Sequence, residues 1–359
     1  MTTLDDVLAL PKVDLHCHLI GTVTAQTFDD LVTKAGIDLP EAPEVVYANL
    51  CSPPSPREKY WGARIPVPTV KSPGEPAQPY SLFLVSEWVR RSLLDAEDFA
   101  RITYEACVNA FRTSTITHLE LFCDPHEDYW RLSYAEVQAA YVAGIQRAEA
   151  ETGMTARLIQ AIDRSKSSEE AVKAVQQAVD HPHEYLVGIG LDNLETAGPP
   201  ERFIDAYRLA GQAGLKRTAH SSEHEMNAHN TIVCLDDLGC DRIDHGYFIL
   251  EDADVVKRCV DEQVCFTVAS TTSRRSIRPW RRNSIQAMFE AGCTLSLCDD
   301  DPGMFPTTLA NEYRIAHEQI GLTPDELAQI VLNGWRAAWL PDAERERRAA
   351  EVASVAQTQ

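Results

Sequence analysis

The sequence predicts a (β/α)8 barrel of the TIM type, with a proline-rich insertion after the first strand. Three observations carry this expectation: eight short apolar runs recur along the chain, helical patterns separate them, and titratable residues stand at the ends of the first, fifth, sixth and eighth runs. Repeated strand–helix alternation implies a parallel sheet with right-handed crossovers. Eight units favour a closed barrel over a doubly wound sheet, although periodicity alone does not separate the two.

The apolar runs are residues 13–19, 117–123, 155–162, 186–191, 215–220, 242–247, 263–269 and 293–298. Most are neither alternating nor long, as expected of strands covered on both faces. Helical patterns occupy 25–35, 96–111, 135–149, 167–180, 202–211 and 252–261; in the second, Phe99, Ile102, Ala106 and Ala110 share one stripe. Gly153, Gly214 and Gly292 each precede a strand, where a helix-terminating glycine is expected. Residues 40–80 break the alternation. Half of the chain's 20 prolines fall between Pro40 and Pro79, together with Trp61 and Tyr60. A long aromatic insertion there is a candidate lid, or equally a surface excursion. The expected organisation is one barrel domain over residues 1–345 and a loose tail over 346–359.

Composition narrows the function classes. The chain has 359 residues, 33 basic and 54 acidic, for a net charge of −21. Such a chain is repelled by phosphate backbones and anionic lipid, so nucleic-acid and membrane partners are not expected. Ten cysteines without a Cys-x-x-Cys pair, mostly inside apolar runs, read as reduced, buried thiols of a cytoplasmic protein. The first ten residues lack a basic region followed by an apolar run, and no stretch approaches the roughly 18 apolar residues of a membrane span.

His16 and His18 lie two apart on the first strand, so both side chains face one side while Cys17 faces the other. Alone, such a pair is a weak metal signal. The fifth strand, however, ends at His220, the sixth runs through His245, and the eighth leads into Asp299, Asp300 and Asp301. The C-terminal strand ends of a barrel converge on one face, where active sites lie, so these residues are expected to meet around a metal.

Four segments carry a family resemblance. "PKVDLHCHLIGT" at 11–22, "TAHSSE" at 218–223, "RIDHGY" at 242–247 and "DDPGMF" at 300–305, followed by "NEY" at 311–313, resemble in order the motifs of the adenosine deaminase family. The resemblance spans nearly the whole chain. It implies one zinc, with iron as the alternative, held by His16, His18, His220 and Asp300. It also implies His245 as general base, Glu223 as proton donor to a substrate ring nitrogen, and Asp301 as a partner for another ring nitrogen. A metal lowers the pKa of a bound water to about 7, and an imidazole beside it accepts the proton. Protonating the ring nitrogen beside the amine-bearing carbon makes that carbon electrophilic. That role needs a carboxyl group kept protonated, which burial of Glu223 would favour.

Two other metal chemistries are disfavoured. Cysteine-ligated deaminases use Pro-Cys-x-x-Cys, which is absent, and "LVGIGLDN" on the fourth strand offers no lysine to bridge two ions. A mononuclear site is therefore expected.

Departures from the family pattern bear on the substrate. Ile20 stands where adenosine deaminases and adenine-using relatives carry an acid, just before Gly21. Asn193 stands near the usual purine-packing glycine, and "HSSE" replaces His-Ala-Gly-Glu. Five arginines crowd 274–282, after the seventh strand. Barrels often bind phosphate there, so Arg274 and Arg275 are candidates to grip an anionic tail; a surface helix or a subunit interface is the alternative. His224 and His229 are expected on the following loop or helix, outside the site. The expected activity is hydrolytic deamination of an amino-substituted purine or related small heterocycle. The alternative is a mononuclear amidohydrolase cleaving another C–N bond, such as a cyclic amide. Self-association is left open.

Overall fold

The computed structural model describes residues 2–51, 80–128, 131–271, 279–305 and 307–358. Eight strands form one sheet: β1 Lys12–His18, β2 Ile116–Cys123, β3 Thr155–Asp163, β4 Leu186–Asp192, β5 Lys216–Ser221, β6 Ile243–His245, β7 Cys265–Val268 and β8 Thr294–Leu297. Each strand pairs in parallel with the next in chain order. Beyond β8 the ring closes, because Cys17 bridges Asp300 and the His18 amide donates to the Asp300 carbonyl at 2.8 Å. The fold is the expected (β/α)8 barrel, and each predicted run overlaps one strand.

Burial on both faces explains why the strands read as apolar runs. On β1, Val13, Leu15 and Cys17 pack in the hydrophobic core, whereas His16 reaches Thr267 and His220 across the barrel. The barrel interior is therefore polar and closed by its own hydrogen bonds. Near its floor, Arg242 Nη1 sits 2.6 Å from Glu120 Oε2, Arg242 Nη2 donates to the Leu15 carbonyl at 2.7 Å, and its guanidinium stacks 3.9 Å from the Trp339 ring. A guanidinium at 1% side-chain exposure is tolerable only with such partners.

The outer helices carry the expected termini. Tyr134–Thr152 begins in a reciprocal Ser133/Glu136 cap and ends at Gly153, whose φ of 73° a side chain would strain. Gly214 and Gly292 also adopt positive φ. The C-terminal residues differ from the expected loose tail. They form a helix, Asp342–Thr358, in which Val352 is buried and Arg347 pairs with Glu351 at 2.6 Å. Its alanines, arginines and glutamates are strong helix formers, which a reading focused on apolar stripes passes over.

The insertion is pinned at its base: Leu50–Cys51 pairs in parallel with Tyr80–Ser81. Residues 52–79, most of the candidate lid, lie outside the described residues. The helix that follows, Leu82–Ser92, brings Leu82, Phe83, Ser86 and Arg90 to the pocket at the C-terminal strand ends. Among the described residues, no helix is long and apolar enough to cross a membrane.

Candidate metal centre and active site

The barrel gathers His16, His18, His220 and Asp300 at its C-terminal mouth, with one potential ligand atom from each lying within 4.8 Å of the others. The Nε2 atoms of His16 and His220 are 3.0 Å apart, those of His18 and His220 3.1 Å, and those of His16 and His18 3.3 Å. Asp300 Oδ1 is 3.5 Å from the Nε2 of both His16 and His18. A tetrahedral zinc with bonds of about 2.0–2.1 Å has ligand atoms about 3.3–3.4 Å apart, close to the observed spacings.

The outer ring nitrogens fix the tautomers. Thr267 Oγ1 donates to Asp244 Oδ1 at 2.8 Å, so it accepts from His16 Nδ1 at 3.0 Å. His220 Nδ1 donates to the Leu191 carbonyl at 2.9 Å. Both rings therefore carry their proton on Nδ1 and turn bare Nε2 lone pairs toward one another. Burial and the neighbouring His16 imidazole push His220 well below the usual histidine range, which keeps it neutral. Lone pairs 3.0 Å apart repel unless a cation lies between them. The donor set, three imidazoles and a carboxylate, suits a divalent transition metal.

Carboxylates behind the cluster hold it in place. Asp244, fully buried, also accepts from Thr218 Oγ1 at 2.8 Å and stands 3.6 Å from His16 Nδ1 and 3.8 Å from His220 Nδ1. Asp14 accepts the His16 amide at 3.0 Å and the Asp299 amide at 3.1 Å, tying the end of β1 to the segment after β8. Burial raises Asp14 to about 6. Such outer carboxylates orient ligands in metal sites.

His245 and Glu223 stand beside the cluster. Tyr247 Oη donates to the Ala269 carbonyl at 2.9 Å and lies 3.3 Å from His245 Nδ1, which makes Nδ1 the protonated nitrogen and leaves Nε2 able to accept a proton. His245 Nε2 is 3.7 Å from Glu223 Oε2. His245, Asp300, Asn193 and Ser222 all adopt left-handed backbone, with φ of 71°, 63°, 69° and 51°. Four non-glycine residues in that region at one rim store strain where side chains are re-aimed into a site. At Ser222 the family's usual glycine would carry this φ without cost; here Ser222 Oγ donates to the Asn227 carbonyl at 3.0 Å.

The loop carrying Glu223 is held by a residue that the sequence did not single out. Glu195, 1% exposed, accepts the amides of Ser222 at 2.7 Å, Glu223 at 2.9 Å, His224 at 2.8 Å and Glu225 at 3.0 Å, and Asn230 Nδ2 at 3.2 Å. Its distance in sequence from the loop gave no signal. His224 also departs from expectation. It lines the pocket, buried, with Nδ1 2.8 Å from Glu223 Oε2. His229 begins a helix, His229–Asp236, as expected.

Ile20, Gly21, Asn193 and Asp301 line the same pocket as His18, His220, Glu223, His245 and Asp300, with His16 fully buried beneath. Gly21 is required by the close approach of Asp301, since a Cβ there would lie 1.9 Å from Asp301 Oδ1. Burial raises the Asp301 carboxyl, against the opposing effect of His18. Arg274 and Arg275 lie outside the described residues. Arg282, from the same run, is half-buried and is not among the pocket-lining residues.

The chain matches the sequence model described as "Adenosine deaminase" over residues 80–355. An adenine deaminase of Streptomyces coelicolor is 29% identical over 357 residues, covering 97% of this chain and 96% of that protein. The solved structure of an amidohydrolase from Burkholderia ambifaria with bound Zn is 30% identical, with a TM-score of 0.84 and coverage of 99% of this chain and 94% of that one. The adenine deaminase structure from Arthrobacter aurescens is 25% identical, with a TM-score of 0.82 and coverage of 97% and 100%.

Proposed function

This chain belongs to the adenosine deaminase family and is a metal-dependent deaminase; from that premise we propose that it hydrolytically deaminates an amino-substituted purine or closely related heterocycle, using one zinc held by His16, His18, His220 and Asp300. The observation that carries the reading is the convergence of three imidazole Nε2 atoms on one point, 3.0–3.3 Å apart. The Zn bound by the 30% identical relative supports zinc over iron. When bound, the ion supplies the Lewis acidity that makes water nucleophilic near neutral pH.

The chain's own residues do the rest. Glu223, 6% exposed, delivers a proton to the ring nitrogen beside the amine-bearing carbon, which makes that carbon electrophilic. His245 Nε2 takes a proton from the attacking water and returns it to the departing nitrogen. A C–O bond forms, the C–N bond breaks and ammonia leaves; the remaining hydroxyl proton passes back to Glu223 as the ring carbonyl forms. Asp301 pairs with another ring nitrogen and orients the ring. Ile20 offers no acid to a ribose hydroxyl, so plain adenosine is disfavoured. The expectation that Arg274 and Arg275, which follow β7 in sequence, serve an anionic substituent is tested by replacing both with alanine, which should raise KM at least tenfold for the true substrate and leave kcat nearly unchanged. Ammonia release from a panel of 6-aminopurines, their nucleosides and nucleotides tests the assignment. Turnover of at least one member is expected, and turnover of cyclic amides alone would overturn it.

A further inference from the structure

Resting on the deaminase reading, we propose that Asp192 is a specificity-determining residue: its carboxyl accepts a hydrogen bond from the N–H that a free heterocyclic base carries at the ring position where a nucleoside bears its sugar.

The strand aims Asp192 into the pocket. Gly190, two residues earlier on β4, faces the barrel interior, because a Cβ there would lie 2.2 Å from the Phe122 ring and 3.1 Å from Thr218 Cγ2. Side chains on a strand alternate, so Asp192 faces the same way, and it lines the pocket with Glu223 and Asp301. The residue is 9% exposed, and its side chain keeps 12% of its surface open. Among the described residues its carboxyl accepts no hydrogen bond: His18 Nδ1, at 3.9 Å, is beyond hydrogen-bonding reach. A buried yet accessible acceptor is thus left for a ligand. Ionised or protonated, a carboxyl keeps an acceptor oxygen.

Position selects the donor. His18 turns its Nε2 toward the metal cluster, and Asp192 stands on the opposite, Nδ1 side of the same ring. With the amine-bearing carbon of a purine at the metal, Glu223 and Asp301 take the two ring nitrogens nearest that carbon. The edge that points away from the metal holds the nitrogen that bears the sugar in a nucleoside. In the free base that nitrogen has a hydrogen to donate. A sugar removes the hydrogen and also needs room. Bounded by the described residues, the pocket encloses about 110 Å3, well below the roughly 300–1,000 Å3 of sites for drug-sized ligands. A phosphate on the sugar would fare worse. Asp163, paired with Asp192 between β3 and β4, lines the pocket too, as do Asp124 and Glu127 after β2. Arg90 is the one lysine or arginine among the described lining residues, and it already donates to Asp124 at 2.8 Å. An anion on this side therefore meets like charge.

The test compares adenine with 9-methyladenine, in which a methyl group replaces that hydrogen, as substrates of the zinc-loaded full chain, with adenosine and AMP alongside. A site built around a hydrogen bond rejects the analogue that lacks it, so kcat/KM for ammonia release should favour adenine by at least about a hundredfold. Asp192→Ala should cut adenine turnover at least about thirtyfold while 9-methyladenine changes less than about threefold. Asp192→Asn, which keeps an acceptor oxygen, should retain most of the preference. Metal content is measured on each sample. A merely structural role, or support of His18 alone, would lower both substrates together and leave their ratio unchanged. Exclusion of the methyl group by size alone would let 9-methyladenine gain in Asp192→Ala with adenine unchanged. Either of those outcomes, no preference for adenine in the unmodified protein, or better turnover of adenosine or AMP than of adenine overturns the proposal. The same assay separates the failures. Ammonia from adenosine or AMP alone removes only the role of Asp192, whereas no ammonia from any 6-aminopurine, nucleoside or nucleotide removes the deaminase reading itself.

Discussion

Replacing Glu195 with alanine should cripple the enzyme without touching a metal ligand or a substrate-facing side chain. Glu195 takes four consecutive backbone amides, from Ser222 to Glu225, and one side-chain amide, at 2.7–3.2 Å, while 1% exposed. Hydrogen bonds to a charged group contribute about 1.5–3 kcal/mol each. They do not add, because the loop relaxes and admits water once the carboxylate is gone; a net loss of about 2–4 kcal/mol of stability is expected. The catalytic effect is separate. The amide of Glu223 is among those released, and a shift of about 1 Å in a reacting group costs about 10²-fold in rate. Glu195→Gln keeps the shape but turns an NH2 toward either Ser222 or the three later amides, so a loss of about tenfold is expected. The assay is kcat/KM for ammonia release on the best purine, with metal content measured on the same samples. Because His220 precedes the loop, on β5, metal content should stay at one equivalent. A Glu195→Ala enzyme within twofold of the unmodified kcat/KM, with metal intact, would refute the view that this carboxylate positions Glu223.

Two further substitutions test the framework. Glu120→Ala leaves Arg242 buried without its 2.6 Å partner; a loss of about 3–5 kcal/mol in denaturant unfolding is expected, and a loss below about 1 kcal/mol would show that the Trp339 and Leu15 contacts suffice. Gly21→Ala places a Cβ where Asp301 Oδ1 now sits, so Asp301 must move. We expect kcat/KM to fall at least tenfold with metal content and thermal stability nearly unchanged, and unchanged kinetics would remove Asp301 from substrate binding.

The strands were legible because burial on both faces writes continuous apolar runs, and the ligand histidines because the two-residue period of β1 puts His16 and His18 on one side. Boundaries were less legible where the backbone leaves β geometry. The sixth run reads as 242–247, yet β6 stops at His245, where φ of 71° and then 75° at Gly246 break the ladder. Contacts between distant segments were not legible. Glu195 meets its loop 27–30 residues later, and Thr267 meets His16 across 251 residues. No local pattern records such pairs. His224 was misplaced for a related reason: its position facing the pocket depends on the turn that Glu195 imposes on Ser222 and its neighbours. The C-terminal helix was missed because its exposed, alanine-rich face carries no apolar stripe.

The central claim is that one ion sits among His16, His18, His220 and Asp300. Anomalous diffraction at the zinc edge, from crystals of the zinc-loaded chain, tests it most directly. The account predicts a single peak about 2.0–2.2 Å from the Nε2 atoms of the three histidines and a carboxylate oxygen of Asp300. A peak elsewhere, two peaks within the barrel mouth, or no peak between those nitrogens would contradict it.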